Sequence, residues 1–303
     1  MLPSDLHRHV SSPPLESSRL AELPTWQATI ACGATLLIVL PVLLVPDQLA
    51  IHLGISMSQH RTIVAGFLGM CGAIIGFTLF AWCLRISPQA IFLRFPSREG
   101  ILAIALVCAI TAVLLLVTTW LTTGTFIIES VPPRTILLHF LVALAIGLWT
   151  GTIEEIFLRG ALFAILGNQW SWTGALWFSA VLFGLLHTGA GETTIHTICY
   201  VILTTIAGLL FGVVTIVTGN VWNAVALHAT WNSLFSGYLL AFGATDESTP
   251  LIRYQFTESH WLLLSDYTTV TESPITIVLF LTALIGVLLL ISDQPILSQR
   301  QQQ

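Results

Sequence analysis

Two adjacent carboxylates and one guanidinium, Glu154, Glu155 and Arg159, stand in an apolar run that begins at Thr135 and does not turn polar until Gly167. Charge at bilayer depth costs roughly 2.5–3.5 kcal/mol per group even on the lenient insertion scale. Three such groups within six positions need a reason. Glu155 and Arg159 are four apart, so on a helix they share a face and can pair. Glu154 points about 100° away and has no partner within its own helix. A buried carboxylate in that position either holds a proton or finds a partner on a neighbouring helix, which makes Glu154 a candidate general base.

Three further polar groups lie inside apolar runs. His187 closes the sequence Phe183-Gly-Leu-Leu-His187, and His228 and Asn232 stand in His228-Ala-Thr-Trp-Asn232. A spacing of four puts His228 and Asn232 on one helix face. No serine or cysteine sits in an evident triad setting. A carboxylate, two imidazoles and an amide can hydrolyse a peptide bond in two ways. In the first, Glu154, helped by His187, takes a proton from water and the hydroxide attacks the carbonyl, while His228 and Asn232 donate to the oxyanion. In the second, the Glu and His side chains bind zinc, which activates the water. The His-Glu-x-x-His signature of common zinc peptidases is lacking, but a His/His/Glu set could still hold the metal.

The elements that must position these groups are membrane helices. The chain has 303 residues, 55% hydrophobic and only 8% charged, against about 25% charged in a soluble domain. It contains no lysine, so every fixed cation is an arginine. Apolar segments cover 26–45, 62–84, 101–121, 135–166, 172–187, 195–217, 221–242 and 275–292. A crossing needs about 20 apolar residues. The expectation is an all-α, polytopic transmembrane bundle of about eight spanning helices. The fourth segment is too long for one straight crossing and the fifth is short. Glycines 66, 69, 72 and 76 form a small-residue stripe on the second, suited to close packing. The five cysteines lie in apolar runs without paired or metal-type spacing and read as buried thiols.

Residues 1–25 read as a flexible cytoplasmic tail, with no cleaved signal peptide, and 26–292 as a single transmembrane domain. Residues 243–274, with Asp246, Glu247, Glu258, Asp266 and Glu272 against Arg253, read as an acidic extracytoplasmic loop, and 293–303 as a second tail. With the N-terminus inside, Arg8, Arg19, Arg85, Arg94, Arg98 and Arg300 face the cytoplasm, and Arg61, Arg134 and Arg253 the outside. Six against three follows the positive-inside rule. It supports an N-in, C-in orientation, and the expectation is a multi-pass membrane protein, of the plasma membrane, with both termini cytoplasmic. Measured from Leu166, Val221 and Trp172, Glu154 lies about 18 Å deep, His228 and Asn232 roughly 10 and 16 Å, and His187 about 22 Å. Similar depth on three helices is what one cavity needs.

Taken singly, these residues have plainer readings. A lone His139, His196 or Asn223 reads as an interhelical hydrogen bond, and Glu155 with Arg159 as an ion pair locking helices. Two other classes use the same groups. A non-catalytic membrane partner or immunity protein would keep the cavity as a peptide groove. A transporter would use the groups as a proton relay, but the sequence has no detectable inverted repeat.

Glu-Glu-x-x-x-Arg at 154–159, Phe-x-x-x-His at 183–187 and His-x-x-x-Asn at 228–232 together resemble the three motifs of the CAAX protease and bacteriocin-processing (CPBP, or Abi) family. That family includes type II CAAX prenyl endopeptidases and lysostaphin-resistance-like proteins. The resemblance covers about 135–242. It implies an intramembrane glutamic endopeptidase with eight helices and a cavity open to the cytoplasm. By position, Glu154 would activate water with help from His187, His228 and Asn232 would stabilise the oxyanion, and Glu155 and Arg159 would hold the site in shape. No cofactor is expected on this reading, with zinc the alternative. The implied partners are membrane lipid and a membrane-associated protein or peptide substrate, including a prenylated CAAX-type one, and no nucleic acid.

Overall fold

The computed structural model describes residues 20, 22–52, 58–188, 193–243, 250–256, 260–263 and 270–292. The expected tails at 1–19 and 293–303, and the loop acids Asp246, Glu247, Glu258 and Asp266, lie outside the described residues. The described residues form eight helices: α1 (Thr25–His52), α2 (Ser58–Cys83), α3 (Glu99–Leu121), α4 (Pro133–Gln169), α5 (Trp172–Leu185), α6 (Thr194–Thr218), α7 (Val221–Leu234) and α8 (Pro274–Ser292). Among them α2, α3, α4, α6 and most of α8 are long and apolar enough to cross a membrane. The molecule is a helical membrane bundle. Its outer faces present Leu79, Ile101, Leu116, Phe140 and Leu290, as lipid-facing surfaces do.

Exposed tryptophans mark both ends of the bundle. Trp82 and Trp170 stand at the ends of α2 and α4, and Trp120 and Trp261 at the opposite end, all largely uncovered. Paired aromatic belts of this kind sit at the two membrane interfaces.

Three departures from the sequence reading concern local structure. First, the 221–242 run is not one helix. α7 ends at Leu234, and Ser-Gly at 236–237 follows, with Gly237 at φ 84°, a conformation that stops a helix. Second, a small sheet forms at this end: β1 (Gly124–Ile128), β2 (Leu240–Phe242) and β3 (Ile252–Phe256), in the order β1-β3-β2. β1 pairs antiparallel with β3, setting Phe126 opposite Tyr254, and β2 pairs parallel with it. Phe242, Tyr254 and Phe256 form a small core with Leu114 and Ile275 over the ends of α3 and α8. Third, α4 is continuous but widens into a π-helical stretch at Ile156–Leu162, directly after the two glutamates. Such π segments are rare and concentrate at functional sites.

Helix crossings at small residues bring the polar groups together. On α4, a Cβ added at Gly147 would collide with the Ala229 carbonyl and Ser233 of α7, and one at Gly151 would lie 3.0 Å from the Ala229 amide. The two glycines, four apart, let the backbones of α4 and α7 touch. One turn further along α4 come Glu154 and Glu155, against His228 of α7. The glycine stripe on α2 packs on the other side of α4, with Gly66 against Ala145 and Gly69 against Trp149.

Candidate active site

The buried anchor of the site is Glu155. Its Oε1 accepts from Arg159 Nη1 at 3.1 Å and from His228 Nδ1 at 2.8 Å. Glu155 and Arg159 are wholly buried and His228 nearly so. A carboxylate oxygen only accepts, so His228 carries its proton on Nδ1 toward Glu155. Its Nε2 therefore faces the other way, 3.9 Å from Glu154 Oε2. That gap is too long for a direct hydrogen bond and suits a bridging water.

Aromatic rings take the place of missing hydrogen bonds around the cation. Arg159 Cζ lies 4.4 Å from the centre of the Phe183 ring and 5.6 Å from that of Phe211. A desolvated cation over an aromatic face is stabilised by about 2 kcal/mol. The same two rings hold His228: Phe211 stacks on it at 5.3 Å and Phe183 meets it edge-on at 5.6 Å. Gly208 of α6 makes room for the guanidinium, since a Cβ there would come within 2.7 Å of Arg159 Nη2.

The remaining two expected residues are also fixed. His187 lies in the turn after α5, where its Nδ1 donates to the Phe183 carbonyl at 2.7 Å, because a carbonyl can only accept. Its Nε2 is thereby left with a lone pair, and its ring packs against Phe183 at 4.7 Å and Tyr200 at 5.2 Å. Asn232 Nδ2 donates to Thr150 Oγ1 at 2.8 Å, and that hydroxyl donates to the Ile146 carbonyl at 2.9 Å. With its proton spent on Ile146, Thr150 can only accept from Asn232, which fixes the amide's orientation.

Glu154, His187, His228 and Asn232 all line one cavity of about 80 Å³, whose walls include Phe183 and Tyr200. This has room for water molecules. Glu155 and Arg159 are packed behind that wall. His139, His196 and Asn223 are not among its lining residues. Thr150, Phe211, Tyr200 and Gly208 belong to the site without having been singled out in the sequence. Thr150 sits four residues before Glu154, a helical turn away, and that spacing is the only trace of its role. Among the described residues no group of three or more His, Cys, Asp or Glu side chains is arranged to hold a metal ion.

The arrangement is an acid-lined pocket inside a membrane bundle, with one carboxylate on the cavity wall and a second holding an imidazole. No curated protein and no solved structure matches the chain. Residues 135–234, a third of the chain, match the family model described as type II CAAX prenyl endopeptidase Rce1-like. The matched stretch runs from the start of α4 to the end of α7 and contains every one of the six candidate site residues. Over residues 135–234 the chain is therefore similar to the Rce1-like type II CAAX prenyl endopeptidases.

Proposed function

We propose that the protein is an intramembrane endopeptidase of the glutamic type, acting on a membrane-associated protein or peptide, with a prenylated CAAX-type chain as the substrate the family match suggests. One observation carries the reading: Glu154, His187, His228 and Asn232, from three separate segments, line a single cavity, with His228 Nε2 only 3.9 Å from Glu154. A water in that cavity gives its proton to Glu154, steadied by the lone pair of His187 Nε2. The hydroxide oxygen bonds to the scissile carbonyl carbon. The carbonyl oxygen, now negative, accepts from Asn232 Nδ2 and from His228 Nε2, the latter as an imidazolium whose charge is set against Glu155. The C–N bond then breaks, and Glu154 returns its proton to the leaving amine. Preorganised donors in a water-poor site account for factors of about 10²–10³ each in acyl-transfer enzymes.

The zinc mechanism would require donors converging within about 2.0–2.2 Å of one point. The described residues offer no such grouping of three or more His, Cys, Asp or Glu side chains. Both readings are tested on the purified full-length protein in liposomes. Glu154→Gln should insert normally and lose at least a thousandfold in cleavage rate. Full activity in that variant ends the proposal. Stoichiometric zinc in active protein, with loss of activity on chelation, would replace it with the metal mechanism.

A further inference from the structure

Away from the cavity at Glu154, a groove of about 280 Å³ lies between α2 and the segment that joins it to α3. α2 contributes Ile74 and Thr78, the joining segment contributes Leu93, Arg94 and Phe95, and Trp222 comes from the first turn of α7. Arg94 stands at the end of the bundle that the exposed Trp82 marks as a membrane interface. Ile74 lies nine residues before the end of α2 at Cys83, about 13 Å along the helix. The groove therefore leads from the interface down a flank of α2 whose neighbouring residues, Ile75 and Leu79, face lipid.

The joining segment is firmly folded. Ala90, Ile91, Phe92 and Leu93, in and just after the 3-10 turn Pro88–Ile91, are buried. The Phe92 ring meets Phe163 at 6.0 Å and Trp172 at 5.9 Å. Its backbone takes φ 59°, a left-handed conformation that a bulky residue adopts only when its surroundings hold it there. Val221 N donates to the Phe92 carbonyl at 3.0 Å, and Asn220 Nδ2 donates to the Phe95 carbonyl at 2.9 Å. With Phe92 anchored inward, Arg94 and Phe95 are left exposed.

Charge decides what the groove would take. Arg94 is the one charged side chain that lines it. Its guanidinium lies over the end of α6, with Cζ 3.7 Å from where a Cβ at Gly219 would be, and a cation there complements the carbonyl end of the helix. Among the described residues Arg94 enters no ion pair, and the neighbouring acid, Glu99, lies against Arg98 at 3.9 Å. Gln89 adds an amide donor to the same wall. Thr78 spends its proton on the Ile74 carbonyl at 2.6 Å, so the deeper wall offers no donor. A guanidinium fork matches a phosphate, and the apolar floor below it matches an acyl chain. A zwitterionic headgroup would bring its own ammonium beside Arg94, where no carboxylate lines the groove to receive it.

We propose that this groove binds one acidic phospholipid, its phosphate oxygens accepting from Arg94 and Gln89 and one acyl chain running past Leu93 and Trp222 to Ile74. The site is separate from the cavity at Glu154 and stands whether or not the chain cleaves peptides.

The test uses the purified full-length protein, stripped of lipid in detergent. Binding of dioleoyl phosphatidylglycerol, dioleoyl phosphatidylcholine and glycerol phosphate, a headgroup without chains, is compared by native mass spectrometry. The wild type should hold one phosphatidylglycerol about fivefold more tightly than phosphatidylcholine and should not retain glycerol phosphate. Arg94→Gln should erase the preference. Arg98→Gln, which removes another exposed cation from the same end, should leave it intact. Thr78→Trp, at an exposed position, fills the groove without changing its charge and should lower retention of both lipids, with melting curves unchanged. Equal retention of the two lipids, an equal loss in Arg98→Gln, or unaltered retention in Thr78→Trp would overturn the site. Glycerol phosphate held as tightly as the lipid would show a site for free anions and overturn the lipid assignment.

Discussion

At the scale of single residues, the site depends on one carboxylate oxygen serving two partners. Glu155 Oε1 takes both Arg159 and His228. Breaking a buried pair by removing one partner costs about 3–5 kcal/mol, because the other charge is left uncompensated. Arg159→Met should therefore lower stability by that much in detergent thermal melts. Combining it with Glu155→Leu should recover most of the loss, since apolar replacement of a whole buried pair is often neutral. Activity should stay low in the double variant, because His228 has lost the acceptor that fixes its ring. Recovery of cleavage together with stability would show that His228 needs no such anchor. Thr150 allows a finer test. Thr150→Val keeps the shape and removes the acceptor for Asn232, so about 1 kcal/mol of stability goes. If Asn232 works on the transition state, kcat falls about tenfold with KM unchanged, and Thr150→Ser restores it. A loss in KM alone would assign Thr150 to substrate binding instead. The sequence exposed the Glu155–Arg159 pair because four residues is one helical turn. It could not expose bonds that span 73 or 82 positions, such as His228 to Glu155 and Asn232 to Thr150, because those depend on how helices cross.

At the scale of elements, helix location was legible because crossing a bilayer needs long apolar runs, and all eight such runs contain a helix. What escaped reading was where an apolar run stops being helical. β2 and the end of α7 share one apolar stretch, and composition alone cannot divide it. The π segment at Ile156–Leu162 leaves no mark on the apolar pattern either, since every residue of it but Arg159 is apolar or glycine. Of the α2 glycines read as a packing stripe, Gly66 and Gly69 pack closely on α4, whereas Gly147 and Gly151 on α4, which matter more for the site, lay inside a run read for its charges. Their role predicts an asymmetry. Gly147→Val forces α4 away from α7, with an overpacking cost of about 1–3 kcal/mol, and carries Glu154 away from His228, so cleavage should fall with stability. Gly286→Ala on α8 meets no atom within 4 Å and removes a flexible helical glycine, so it should stabilise by roughly 0.5–1 kcal/mol. Melting temperatures of the two variants, measured side by side, check both signs. A harmless Gly147→Val would mean that the α4–α7 crossing has slack.

At the scale of the whole molecule, the arginines bear on which water compartment the site faces. The cavity at Glu154 runs on toward the end that carries the sheet, Ser236 and Glu272. Among the described residues the arginines divide evenly, with Arg85, Arg94 and Arg98 at one end and Arg61, Arg134 and Arg253 at the sheet end. The six-to-three bias comes entirely from Arg8, Arg19 and Arg300. Those three set the sheet end outside by the positive-inside rule, whereas the family resemblance implies a cavity open to the cytoplasm. The two expectations conflict, and one labelling experiment separates them. Phe95 at the Arg94 end is 93% exposed and Ile128 on β1 is 74% exposed. In a background with the five native cysteines changed to alanine, Phe95→Cys and Ile128→Cys can be probed with a membrane-impermeant maleimide on intact cells. On the arginine count, position 128 labels from outside and position 95 only after lysis. Substrates would then enter the cleft from the outer face. The reverse pattern would invert the bundle, put Glu272 and the mouth of the cleft in the cytoplasm, and show that the tail arginines do not set the orientation of this chain.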